Sequence, residues 1–158
     1  MKPRIDNLDR EIFEYLRENA RMPASEIARR LGYITARAVR NRINRLVAER
    51  FISIKAGAVP ERLGYPISAD IYIDVEPGEI EHVAQRLAEL DEVFYVALTT
   101  GDTDISASTV AVSMGALQEF ISTKLHTIPG VTKTKTYVLT KILKQSCDWT
   151  FPETLPKV

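Results

Sequence analysis

The sequence predicts an α+β protein in which a helical N-terminal segment precedes a sandwich of four strands and two helices. Two observations predict this class. Residues 1–50 repeat apolar side chains at helical spacing, and residues 67–143 show strand and helix patterns in the order β-α-β-β-α-β. The chain has 158 residues, with 45% hydrophobic and 27% charged side chains, which is typical of a soluble globular protein of one or two domains.

The first segment is predicted to form three short helices. Asp6 or Asn7 can cap the first helix, and its apolar face would comprise Leu8, Ile12, Tyr15 and Leu16. The second helix spans about 24–31 and stops at Gly32, and Thr35 can cap the third. Two helices joined by a short turn with a glycine, the second of them basic, are typical of a winged-helix-like helix-turn-helix domain.

The third helix, predicted to run to about Arg50, separates apolar from basic side chains. Its inward face would hold Val39, Ile43, Leu46 and Val47. Its outward face would hold Arg37, Arg40, Asn41, Asn44 and Ala48, with Arg42 and Arg45 on the two flanks. A solvated helix face would mix charge signs, whereas Glu49 is the single acid between residues 27 and 50. The pattern therefore favours contact with nucleic acid.

Arginine and asparagine are the side chains that pair bidentately with guanine and adenine edges in the major groove. The outward residues Arg37, Arg40, Asn41 and Asn44 are therefore expected to read bases. Thr35, Arg42 and Arg45 are expected to hold phosphates, Thr35 through the helix N-terminus.

Charge is distributed unevenly between the two halves of the chain. Residues 1–55 carry 13 Lys and Arg against 7 Asp and Glu, and residues 56–158 carry 8 against 14. The net charges of +6 and −6 cancel over the whole chain. This asymmetry indicates that the first half meets a polyanion and the second does not.

The remaining residues divide into a linker, a sandwich and a tail. Residues 51–59 are expected to form a strand or an extended arm, and residues 60–66, with two prolines and a glycine, a hinge. Strands are predicted at 67–75, 92–100, 105–112 and 131–143, and helices at 79–90 and 115–128, in the order of a ferredoxin-like sandwich. The predicted domain limits are 1–52 and 67–144, with a linker at 53–66 and a tail at 145–158.

The second predicted strand has apolar side chains on both faces. Strict alternation would place Phe94, Val96 and Leu98 on one face and Val93, Tyr95 and Ala97 on the other. Only one face can pack on the two helices, so the other is expected to meet a second copy of the chain. The sequence therefore predicts a homodimer through the sheets.

These motifs, in this order, resemble the leucine-responsive regulator/AsnC (Lrp/AsnC) family of bacterial and archaeal transcription factors. The resemblance covers residues 5–144 and rests on "LDREIFEYLRENARMPASEIARRLG", "VRNRINRL", "PERLGYP", "VEPG", "TGDTD", "PGV" and "TKTYVL". It implies a DNA-binding regulator of the cytoplasm and nucleoid, built of dimers that assemble into tetramers, octamers or larger rings. It also implies a small effector, typically an amino acid, bound where neighbouring dimers meet.

The positions that match the family's effector site are Gly101, Asp102 and Asp104 in "TGDTD" and Thr136, Tyr137 and Val138 in the last strand. A carboxylate such as that of Asp104 would suit an α-amino group, and backbone N–H groups in a glycine turn would suit an α-carboxylate. The sequence departs from the family pattern in the small, hydroxylated third strand "ISASTVAV" and in "ERFI", where a glycine is common after the third helix.

Several other classes of function find no support in the sequence. It offers no nucleophile–base pair, phosphate loop or metal-ligand spacing, so neither catalysis nor a cofactor or metal site is expected. No apolar run is long enough to cross a membrane, and one cysteine, Cys147, cannot form an intrachain disulfide. An architectural protein that wraps DNA with little sequence preference stays open as an alternative, and the tail aromatics Trp149 and Phe151 are expected to pack rather than bind a ligand.

Overall fold

The computed structural model describes residues 5–144, which divide into two compact units between Gly57 and Ala58. Each unit has its own hydrophobic core. The division falls inside the predicted linker at 53–66, and the domain limits themselves stay a prediction. Trp149 and Phe151 lie outside the described residues.

The N-terminal unit contains three helices, α1 (Asn7–Glu18), α2 (Ala24–Leu31) and α3 (Ala36–Ala48). The predicted caps are present, because the Asp6 side chain accepts from Asp9 N–H at 2.9 Å and the Thr35 hydroxyl accepts from Ala38 N–H at 3.2 Å. Gly32 ends α2 in a left-handed conformation, with φ at 78°. The core is built from side chains of all three helices, among them the fully buried Ile12, Ile27, Val39 and Leu46.

One expectation for this unit is wrong. Val47 was expected to face the core, but α3 ends one residue later and the Val47 side chain is 42% exposed. Of the two alternatives for residues 51–59, a strand or an extended arm, the strand is absent and the arm stays a prediction. Phe51 and Ile52 pack against the helical core, which shields their apolar side chains from water without a sheet partner.

The second unit is a four-stranded antiparallel sheet with two helices. A short 3₁₀ turn at Pro60–Leu63 precedes the strands and helices β1 (Ile67–Val75), α4 (Ile80–Ala88), β2 (Val93–Leu98), β3 (Ile105–Ala111), α5 (Met114–Phe120) and β4 (Val131–Val138). The strand order is β2-β3-β1-β4, which confirms the predicted ferredoxin-like sandwich. The last strand is shorter than its predicted span of 131–143.

One face of the sheet packs on α4 and α5. The inward residues of β1 and β3 alternate as the sequence predicts, and both helices contribute the apolar residues that were expected, including Val83, Leu87, Leu117, Phe120 and Leu125. After Phe120 the helix widens into a π-helical turn, Ile121–Leu125. The hydroxyls of Ser122 and Thr123 donate to the Glu119 carbonyl there, at 3.1 and 2.8 Å, and so compete with the regular helical hydrogen bonds.

The strand β2 does not alternate strictly, because its register against β3 shifts between Val93 and Tyr95. Val93 pairs with Thr109 and Val96 with Ala107, so both β2 residues face the helices. The expectation that Val93 shares a face with Tyr95 is therefore wrong. Phe94, Tyr95 and Leu98 are 63%, 52% and 54% exposed in the single chain.

We expect Gly130→Ala to destabilise the second unit by about 2–4 kcal/mol, the combined cost of backbone strain and a clash. Gly130 has φ at 94°, and a Cβ there would lie 2.8 Å from the Glu79 Cβ, which cannot swing away. The measurement is thermal unfolding. Gly57→Ala is the matched control, because a Cβ at Gly57 meets nothing within 4 Å. Equal unfolding temperatures for the two variants would contradict the close packing of Gly130 against Glu79.

Candidate nucleic-acid interface and ligand cavity

Two arginines on α3 are bound to carboxylates of the first helix. The Arg42 Nη1 donates to Asp6 Oδ2 at 2.5 Å and to Asp9 Oδ1 at 2.9 Å. The Arg45 Nη2 donates to Asp9 Oδ2 at 2.5 Å. These contacts, which we call the Asp9 cluster (Asp6, Asp9, Arg42 and Arg45), join α1 to one flank of α3. The expectation that Arg42 and Arg45 lie on two flanks is therefore wrong, because positions three residues apart share one side of a helix.

Asp9 is the centre of this cluster and has no exposed surface. Its carboxylate also accepts from Asp6 N–H at 3.1 Å, so both oxygens are occupied. Burial raises the pKa of the Asp6 carboxyl, but hydrogen bonds from Arg42 and from the Asp9 backbone outweigh burial and lower it overall. Hydrogen bonds to Asp6 and Asp9 raise the pKa of the Arg42 guanidinium, and the hydrogen bond to Asp9 raises the pKa of the Arg45 guanidinium. Asp6 and both arginines are thus held in their charged forms at neutral pH.

The arginines of α2 are also paired. Glu26 accepts from Arg29 at 2.6 and 2.8 Å and from Arg30 at 2.8 Å, and Arg30 reaches Glu18 on α1 at 3.3 Å. The hydrogen bonds from Arg29 and Arg30 lower the pKa of Glu26 to about 2. The positive charge of α2 is therefore largely balanced within the N-terminal unit.

The outward face of α3 differs from these paired flanks. Its four predicted base-reading residues are exposed, and among residues 5–144 none of them forms an ion pair or a side-chain hydrogen bond; they are Arg37, Arg40, Asn41 and Asn44. Thr35 lies at the start of the helix, where the first N–H groups have no partner within the helix. The exposed surface of α3 is a stripe of unpaired cations and amides that starts at a helix N-terminus.

The three predicted phosphate-binding residues differ in exposure and in pairing. Thr35 is exposed at the N-terminus of α3, whereas Arg42 and Arg45 are each about two-thirds buried and bound in the Asp9 cluster. A phosphate would have to compete with Asp9 for both guanidinium groups. Asp6 and Asp9 belong to a capping box, which is visible in the sequence, but nothing in the sequence showed that Asp9 would also bind two arginines 33 and 36 residues away.

The six predicted effector residues do not lie together. Tyr137 pairs with Asp70 and faces away from the helices, whereas Thr136 pairs with the buried Ile71 and Val138 with the buried Ala69. Asp104 Oδ2 accepts from Val75 N–H at 2.8 Å and so ties the 101–104 turn to the end of β1. Gly101 has φ at 152° and no neighbour near the position of a Cβ. Only Asp102 and Tyr137 of the six meet at one cavity.

That cavity lies on the face of the sheet opposite the helices and has a volume of about 420 Å³. Its lining is Asp70, Tyr72, Asp102, Thr103, Lys135 and Tyr137. The Tyr72 and Tyr137 rings meet edge to face, with centroids 5.6 Å apart, and Asp70 Oδ1 accepts from the Ser108 hydroxyl at 2.7 Å. A second cavity of about 460 Å³, at the start of β1, is lined by none of the predicted residues.

Four residues that line the cavity were not predicted as site residues: Asp70, Tyr72, Thr103 and Lys135. The signal was present in β1, whose outward positions carry Asp70 and Tyr72 between buried apolar residues, but alternation alone does not tell which strand lies beside β1. Pairing of β1 with β4 brings Lys135 opposite Tyr72 and Tyr137 opposite Asp70. The charged lining follows from this strand order.

Models of known families match both units. A model described as the AsnC-type helix-turn-helix domain matches residues 5–47, and one described as the Lrp/AsnC ligand binding domain matches residues 68–149. An uncharacterised HTH-type transcriptional regulator of Pyrococcus furiosus is 38% identical over 141 residues, which are 89% of this chain and 95% of that protein.

Solved structures show the same fold. Escherichia coli AsnC superposes with a TM-score of 0.83 at 28% identity, covering 90% of this chain and 97% of that chain. A Neisseria meningitidis transcriptional regulator, solved as a complex with L-Met, superposes with a TM-score of 0.82 at 21% identity, covering 90% and 94%. Within residues 5–144, no helix has the length and apolar character needed to cross a membrane.

We expect Arg45→Met to lower the free energy of unfolding by about 1–3 kcal/mol, because the buried Asp9 carboxylate would lose one of its charged partners. Arg40→Met is the matched control on the same helix. Its side chain is exposed and unpaired within the described residues, so its effect should stay within about 0.5 kcal/mol. Chemical denaturation measures both variants. Equal stabilities would show that the Asp9 cluster does not stabilise the protein.

Proposed function

Because the chain belongs to the Lrp/AsnC family of transcriptional regulators, we propose that it binds specific DNA sequences in the cytoplasm under the control of a small effector. The observation that carries the proposal is the unpaired stripe on α3, which the Asp9 cluster flanks but does not neutralise. A face that carries cations and amides and no acid has the chemistry that duplex DNA requires.

In this proposal α3 is the recognition helix. Arg37, Arg40, Asn41 and Asn44 contact base edges, and Thr35 with the α3 N-terminus contacts a phosphate. Arg42 and Arg45 contribute in two ways. They hold α3 against α1 through Asp9, and the exposed third of each side chain adds positive potential beside the DNA backbone.

We further propose that the chain acts as a homodimer, which presents two copies of α3 to a near-palindromic site. The support is a set of large apolar side chains that are more than half exposed: Tyr95 and Tyr137 on the outward sheet face, and Phe94 and Leu98 on the β2 edge. Exposed large apolar side chains on a sheet face and edge are typical of an interaction surface. Further assembly of dimers into tetramers or octamers is part of the same proposal.

The effector site we propose is the 420 Å³ cavity. Asp70 and Asp102 can accept from an α-amino group, Lys135 can bind an α-carboxylate, and the Tyr72–Tyr137 pair offers an apolar wall to a side chain. An amino acid, or a related metabolite, has these three parts. The Neisseria meningitidis neighbour, which was solved with L-Met, makes amino acids the first class to test. Gly101 and Asp104 would shape the adjacent turn, and Thr136 and Val138 would support Tyr137 from the strand.

We expect Asn41→Ala to weaken binding to a preferred duplex by about 1–3 kcal/mol and to leave binding to random DNA nearly unchanged, because it removes one base contact. The preferred duplex is selected by the protein from a random pool, and gel-shift titrations give both affinities. Arg86→Gln on α4 is the control, since it removes a charge without touching α3.

Two outcomes would contradict parts of this proposal. Equal losses of Asn41→Ala on selected and random duplexes would refute base reading by Asn41. A wild-type protein that binds selected and random duplexes equally at one salt concentration would favour the alternative, an architectural protein that wraps DNA.

The effector site is tested by thermal unfolding in the presence of each of the twenty amino acids, beginning with L-Met. A ligand at about a hundred times its dissociation constant stabilises the folded state by about 2.7 kcal/mol. We expect Lys135→Met and Asp102→Asn to abolish the shift. Lys133→Met is the matched control on the same strand, because Lys133 does not line the cavity. An unchanged shift in Lys135→Met would move the site elsewhere.

A further inference from the structure

Arg50 adopts a backbone conformation that arginine rarely adopts. Its φ is 59°, and it is the one residue other than glycine with a positive φ among residues 5–144. At every other such position in that range the chain has a glycine: Gly32, Gly64, Gly78, Gly101 and Gly130. The chain therefore uses glycine wherever the backbone turns left-handed, except at residue 50.

The end of α3 imposes this conformation. Arg50 N–H donates to the Val47 carbonyl at 3.1 Å, and Phe51 N–H donates to the Leu46 carbonyl at 2.9 Å. These are the two hydrogen bonds of a Schellman motif, whose left-handed position favours glycine. Ile52, which is buried, fixes the chain just beyond the motif. A β-carbon at residue 50 is thus a cost that the helix end does not require.

The Arg50 side chain forms no polar contact with the described residues of the N-terminal unit that would offset the backbone strain. It is exposed, and it forms no ion pair or hydrogen bond with any described residue. The neighbouring acid Glu49 lies 3.6 Å from Arg45 instead. Residues that keep a strained backbone without a packing reason are concentrated at functional sites.

Arg50 lies two residues beyond the end of α3, where a contact with the DNA backbone is expected. With 13 residues α3 is about 20 Å long, whereas the major groove is about 12 Å wide and bordered by phosphates on both sides. A recognition helix whose first turns reach the bases therefore brings its last turn to the phosphodiester backbone, as in the homeodomain variant of this motif. We propose that Arg50 binds a DNA phosphate at the end of α3, an inference that rests on the DNA binding proposed above.

A purely structural role would give different results. A cation at a helix C-terminus stabilises the helix dipole, and that contribution would appear in the stability of the protein without DNA. A phosphate contact would appear in DNA affinity and in its dependence on salt. Arg50→Gly separates the two, because glycine relieves the left-handed strain while it removes the charge.

We expect Arg50→Gly to unfold at a higher temperature than the wild type and yet to bind DNA about tenfold more weakly, equally on selected and random duplexes. Over about 50 to 200 mM salt, the slope of log K against log salt should fall by about one. Arg50→Lys keeps the charge and should retain the wild-type slope. Arg86→Gln, a charge change on the second unit, should leave affinity and slope unchanged.

Arg37→Ala in the same titrations shows whether the assay reports on α3 at all. If Arg37→Ala weakens binding and Arg50→Gly stays within twofold of the wild type, the role of Arg50 is refuted and the proposed function stands. If Arg50→Lys lowers the slope of log K against log salt as much as Arg50→Gly does, the charge of residue 50 does not determine DNA affinity. The inference is then also refuted. If the wild type does not bind DNA, both proposals fail together.

Discussion

The buried carboxylate of Asp9 determines how the cationic face of the N-terminal unit is used. Asp9 binds Arg42 and Arg45 on one flank of α3 and so fixes that helix against α1. Without such a partner, the four arginines among the 13 residues of α3 would repel one another along one helix. The two acids of the Asp9 cluster neutralise the charge of Arg42 and Arg45. Within residues 5–144, they leave Arg37 and Arg40 unpaired on the outward face of α3. Cations on one helix are thereby divided between packing on the flank and the proposed DNA recognition on the outer face.

A similar separation operates in the second unit. Inward positions of β1 and β3 are apolar or small and pack on the helices, whereas the outward positions carry Asp70, Tyr72 and Ser108. The outward groups bond to one another or line the cavity. The sheet thus packs on the helices with one face and carries the proposed ligand site on the other, because successive side chains of β1 and β3 alternate between faces.

Much of the fold was predictable, because its elements are encoded locally. The caps Asp6 and Thr35 set the starts of α1 and α3, and the apolar period set the strands and helices of the sandwich within a few residues. The prediction was weakest where a local pattern was ambiguous. Residues 51–59 were compatible with a strand, but they form none, and Phe51 and Ile52 pack on the helical core. The strand β2 departs from alternation at a register shift that no residue type indicates.

The sites were less predictable, because they depend on residues distant in sequence. The outward residues of α3 follow from helical geometry alone, but the pairing of Arg42 and Arg45 depends on Asp9, on another helix. Likewise "TYV" appears as one motif in the sequence, and a strand sends Tyr137 to one face and its two neighbours to the other. A contiguous motif on a strand can therefore supply only every second residue to a site.

The shifted register of β2 affects how readily this protein aggregates through the edges of its sheet. Both β2 and β4 are edge strands, and an edge with regularly spaced free N–H and C=O groups is a template for strand addition by any extended chain. The irregularity between Val93 and Tyr95 interrupts that template on the more apolar of the two edges. On β4, Lys133 and Lys135 repel incoming strands by charge and hydration. The sheet can thus expose apolar side chains while both of its edges disfavour strand addition.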